Sequence, residues 1–87
     1  MADTIYTPSD LAELIKARRK AAGLSKTALA RQAGKVREVI YRLEAGEDVT
    51  VSSLLAVLAA LGLALHTEPA GLPSPQEMAA RFARDED

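Results

Sequence analysis

Between Leu24 and Gly46 the sequence spells two short helices separated by a glycine, the most informative stretch of the chain. A helix start at Ser25 is followed by a break at Gly34, and a further helix ends at Gly46. Two short helices joined by a tight glycine turn are the architecture of a helix-turn-helix, whose second helix lies in the major groove of DNA. Val39, Ile40 and Leu43 fall on one side of that second helix, which suits packing on a core. Arg37, Glu38, Tyr41 and Arg42 fall on the other. Base edges present hydrogen-bond donors and acceptors to long polar side chains of this kind.

The flanking segments complete a small helical unit. Thr7-Pro8-Ser9-Asp10 reads as a helix start: Thr7 as cap, Pro8 at the first helical position, Asp10 where a capping-box acid belongs. Leu11, Leu14 and Ile15 give that helix its apolar stripe, and Gly23 ends it. Ser25 caps the second helix, with Leu29, Ala30 and Ala33 facing inward. The third runs from about Val36 to Ala45. Thr50 or Ser52 caps a fourth, whose Leu54, Leu55, Leu58 and Leu61 mark a strongly buried element that Gly62 closes.

Beyond it, Leu63 to Glu68 alternates with the period of a strand, Leu63, Leu65 and Thr67 on one side and Ala64, His66 and Glu68 on the other. A lone strand leaves its backbone groups unpaired. Pairing with the same segment of a second copy satisfies them and makes a homodimer; pairing with residues 4–6 of the same chain is the alternative. Residues 69–87 form a tail. After an irregular stretch rich in proline and glycine, Ser74 and Glu77 make a capping-box pattern before a short helix over about 75–84. Met78 and Phe82 lie one turn apart on it, a pair suited to folding back or to docking on a partner protein. The expected architecture is therefore all-α. A compact four-helix domain with its dimerising strand spans residues 1–68, and the tail follows.

Charge supports this reading through its distribution. The net charge is −1. Nine Lys/Arg stand against five Asp/Glu up to Gly46, and two against seven from Glu47 onward. A clustered basic face is what attracts phosphate. With no cysteine, disulfides are excluded. The apolar runs are too short to span a bilayer and the first residues are unlike a secretion signal, so a cytoplasmic protein is expected. No constellation points to catalysis: His66 is the only histidine, no phosphate-cradling glycine loop is present, and no cofactor or metal is implied. Ser25, Ser52 and Ser53 are better explained as helix-start residues than as nucleophiles.

From Leu11 to Gly62 the chain closely resembles the Cro/lambda-repressor type of helix-turn-helix, the Xre family. The matching residues are Arg19, Leu24-Ser25-Lys26, Leu29-Ala30, Gly34, Ile40, Leu43-Glu44, Gly46, and Leu54 through Leu61-Gly62. The alternating segment after the fourth helix narrows the likeness to HipB-like antitoxins and related small regulators. The resemblance implies a DNA-binding regulator that represses its own operon as a dimer and binds a co-encoded toxin; a module that mainly neutralises a toxin through its tail is the alternative. It also implies an ion pair between Arg19 and Glu44, tying the first helix to the third. It places base reading at Arg37, Glu38 and Arg42, with Ser25, Lys26 and Lys35 beside them. Arginine grips both acceptors of a guanine, and glutamate accepts from cytosine. Glu38 alternatively pairs with Arg42 at i, i+4, and Tyr41 touches a phosphate or a thymine methyl, or is idle. Lys26 replaces the glutamine usual in the family while still reaching phosphate. Lys35-Val36 departs further, because valine offers no cap to the third helix.

Overall fold

A computed structural model describes residues 4–70 of the chain. Four helices follow one another: α1 (Pro8–Ala21), α2 (Lys26–Ala33), α3 (Arg37–Glu44) and α4 (Val51–Ala60). Their starts are set by side chains that satisfy backbone N–H groups left over at a helix head. At α1 the Thr7 hydroxyl accepts from the Asp10 N–H at 3.1 Å, while the Asp10 carboxylate accepts from Thr7 and Tyr6 N–H groups. This capping box is the one the sequence pattern predicts. Ser25 caps α2 through the Ala28 N–H, and Thr50, rather than Ser52, caps α4 through the Ser53 N–H. Only Val36, ahead of α3, makes no side-chain cap.

The ends follow one rule. After α2, the Lys35 N–H reaches back to the Ala30 carbonyl at 2.9 Å and the Gly34 N–H to Arg31. This closure needs a residue in the left-handed region, and Gly34 sits at φ +67°. It turns the chain sharply enough to set α3 across α2. The third helix is one residue shorter at each end than the sequence pattern suggests, because Val36 and Ala45 are its caps.

The core takes one fully buried side chain from each helix: Ile15, Leu29, Ile40 and Val57. Ala30, Leu43 and Leu58 join them, and Leu54, Leu61 and Leu63 pack against the cluster half-buried. Full burial of one such side chain is worth roughly 1.5–3 kcal/mol. α3 packs against all three other helices, so its inner face is fixed from several sides. Leu55 departs from expectation. It stands 45% exposed, flanking the stripe of Leu54, Val57, Leu58 and Leu61, while Val57 takes the core position.

No strand forms among the described residues. Residues 63–70 carry no ladder and do not pair with residues 4–6, so the intrachain alternative is not adopted. The Leu63 N–H is spent on the Leu58 carbonyl at 2.8 Å, in the closure of α4. The helix read over 75–84, with Met78 and Phe82, lies outside the described residues. Among the described residues, no helix is long and apolar enough to cross a membrane.

Candidate nucleic-acid interface

The outer face of α3 follows from its inner one. With Ile40 wholly buried and Leu43 nearly so, the helical period turns Arg37, Glu38, Tyr41 and Arg42 to solvent. Arg37, Glu38 and Tyr41 border a shallow concavity on that surface. Arg42 Nε donates to Glu38 Oε1 at 3.3 Å, one turn along the helix. Both side chains are largely exposed, so the pair contributes little to stability. Its consequence is orientation, since the guanidinium is directed along α3 and the carboxylate is engaged.

The α2 start adds a second cationic group to the same face. Lys26 is the first residue of α2, and its Nζ stands 4.2 Å from the centroid of the Tyr41 ring. The Arg37 guanidinium carbon lies 5.5 Å from the same centroid. Both cations are within the range at which a ring's quadrupole attracts them. Ser25 is exposed and spends its hydroxyl on the α2 cap, leaving Lys35 half-buried in the turn. Sequence reasoning named each of these residues but missed the Tyr41 contacts: Arg37 lies one turn away on the same helix, whereas only the crossing of α2 and α3 brings Lys26 to the ring.

Behind this face, Arg19 on α1 and Glu44 at the end of α3 join in a two-pronged ion pair. Arg19 Nε donates to Glu44 Oε2 at 2.6 Å and Nη2 to Oε1 at 3.0 Å, while Nη1 donates to the Leu24 carbonyl at 2.9 Å. The Glu44 side chain is 2% exposed and that of Arg19 11%. The hydrogen bond to Glu44 raises the arginine pKa above its ordinary value, against the opposing effect of burial. The arrangement ties α1, the loop before α2 and the end of α3 to one another. Among the described residues every buried side-chain nitrogen and oxygen has a partner.

Of the remaining expected site residues, Met78 and Phe82 lie outside the described residues. Leu63 packs half-buried against the core, whereas Leu65, His66 and Thr67 are exposed in the segment after α4.

A family profile described as HTH_3, helix-turn-helix, matches residues 15–66. The chain belongs to the HTH_3 helix-turn-helix family. Solved structures extend the likeness. A complex of HipB with an O4 20mer superposes with a TM-score of 0.74 at 25% identity, covering 80% of this chain and all of that one. A chain of a HipA-HipB-O2-O3 complex gives 0.74 at 24%, with the same coverage. An HTH_3 family transcriptional regulator from Vibrio cholerae gives 0.60 at 29%, covering 66% of this chain and 33% of that protein. No curated protein sequence matches the chain. This HTH_3 chain is of the Xre type and HipB-like in fold.

Proposed function

We propose that this protein is a sequence-specific DNA-binding regulator that reads an inverted repeat as a homodimer. The observation that carries the reading is the outward row of α3, where Arg37, Glu38, Tyr41 and Arg42 stand exposed on a helix anchored behind by Ile40, Leu43 and Glu44. Arg37 and Arg42 have the reach and fork geometry for guanine O6 and N7. Lys26 and the neighbouring turn hold phosphate and set the register. The likeness to HipB bound to an O4 20mer supports a duplex as partner.

In this reading two copies join through the extended segment around Leu63, Leu65, His66 and Thr67, which pairs antiparallel about a two-fold axis. Their recognition helices then face half-sites about 10 base pairs apart. Occupying its own promoter makes the protein an autorepressor, and the family likeness supports the antitoxin of a toxin–antitoxin pair, working in the cytoplasm and without enzymatic activity. The outward arginines favour DNA reading over the alternative, a module that only neutralises a toxin through Met78 and Phe82. Such a module has no need of them.

Fluorescence titration of a cognate duplex tests the division of labour. Arg37→Ala costs roughly 1–3 kcal/mol and relaxes preference at one base position. Lys26→Ala weakens all duplexes alike and lowers the salt slope by about one. The reverse assignment of these effects contradicts the proposal.

A further inference from the structure

Lys26 and Arg37 share an anomaly. Each is the first residue of its helix, where the unpaired N–H groups and the macrodipole already present positive charge, and a cation there opposes folding. Neither has a carboxylate partner; the ion pairs of the described residues are Arg19–Glu44 and Arg42–Glu38. Both instead meet one ring, that of Tyr41, at 4.2 and 5.5 Å. The ring projects from the helix whose opposite face is locked into the core, and it is about half exposed, so its backbone is anchored while the ring is open to solvent. The head of α3 has no side-chain cap, and the Lys26–Tyr41 contact bridges α2 and α3 on their outer side.

We propose that Tyr41 is a positioning residue that acts through its ring: it gathers Lys26 and Arg37 and fixes both cations toward the same stretch of duplex DNA. This rests on the DNA reading proposed above. A long flexible cation loses side-chain freedom when it binds, and one already held against a ring has less to lose. Tyr41 thus raises affinity without contacting DNA itself. Its hydroxyl takes no part, and its aromatic face does.

The test is a set of binding titrations on the full chain with a duplex selected by the wild type, at low salt so that weakened variants remain measurable. Tyr41→Leu removes the ring and keeps an apolar side chain of moderate size. It weakens binding roughly 3- to 10-fold, the loss expected when two cations regain part of the side-chain freedom that binding must then remove. Tyr41→Phe stays within about twofold of wild type, because the face is retained. In a Lys26→Met/Arg37→Met background, Tyr41→Leu adds less than about twofold, since nothing remains for the ring to hold. In the free protein, the Lys26 side-chain methylene protons resonate upfield from the ring current in wild type and Tyr41→Phe, and return to ordinary positions in Tyr41→Leu. An unchanged melting temperature in Tyr41→Leu shows that the fold is not what is lost. Three results overturn the proposal: equal binding by Tyr41→Leu and wild type, a loss in Tyr41→Phe as large as in Tyr41→Leu, or an undiminished loss in the cation-free background. The last two point to a direct contact from the hydroxyl or the ring. A folded wild type that binds no duplex sinks the DNA reading itself, and the positioning role with it.

Discussion

Arg19 makes three hydrogen bonds, two to the Glu44 carboxylate and one to the Leu24 carbonyl, and the pair is almost closed to water. Removing one partner of such a pair leaves the other charge buried and uncompensated, which costs about 3–5 kcal/mol. Arg19→Ala therefore lowers the melting temperature steeply, while base preference measured on the fraction still folded stays as in wild type. An unchanged melting temperature with altered preference contradicts the structural role. Asp10 acts at the opposite end of α1 and is sensitive to acid. The Tyr6 N–H, more than any other group, holds its carboxyl below the ordinary value of 3.8, with the Thr7 hydroxyl and N–H adding to it. A depressed folded pKa means that the carboxylate stabilises the fold above its unfolded pKa, and that this contribution disappears as pH falls through the folded value. Asp10→Asn is accordingly less stable than wild type at neutral pH, and the difference narrows in acid below the ordinary carboxylate range. A pH series of urea unfolding curves shows it, and a difference constant from neutral to acid pH contradicts it.

At the scale of elements, α3 is the helix that lacks a cap and the one on which function is argued. Val36 is 68% exposed and sits at a φ of −73° and ψ of 152°, a backbone that a β-branched hydroxyl residue also adopts. Val36→Thr supplies the missing acceptor and stabilises the domain by about 0.5–1 kcal/mol in urea unfolding. No gain means that the α3 head is fixed by its packing alone. The four helices were legible in the sequence because their limits are local: Thr7, Ser25 and Thr50 at the starts, Gly23, Gly34, Gly46 and Gly62 beyond the ends. The exposure of Leu55 was within reach of the same pattern, which places it off the stripe of Val57 and Leu58, but a run of leucines reads as buried throughout. Arg19 and Glu44 lie 25 positions apart, and only the family resemblance joined them before the structure did. The Lys26–Tyr41 contact depends on a crossing angle, which no local pattern encodes.

At the scale of the molecule, the basic half of the chain and the recognition helix coincide, whereas the acidic residues gather after Gly46. A net charge near zero therefore does not oppose binding to a polyanion, since the field that matters is the one near the exposed face of α3. In the proposed dimer, a second copy pairs with the segment that follows Leu63 and repeats the outward helix about a two-fold axis. The most direct measurement is selection of bound duplexes from a random DNA pool at physiological salt, with wild type and Arg37→Ala/Arg42→Ala in parallel. The account predicts that wild type enriches an inverted repeat with half-site centres about 10 base pairs apart, and that the double variant, still folded, loses or changes it. A folded wild type that enriches nothing, or a double variant that enriches the same repeat, contradicts it.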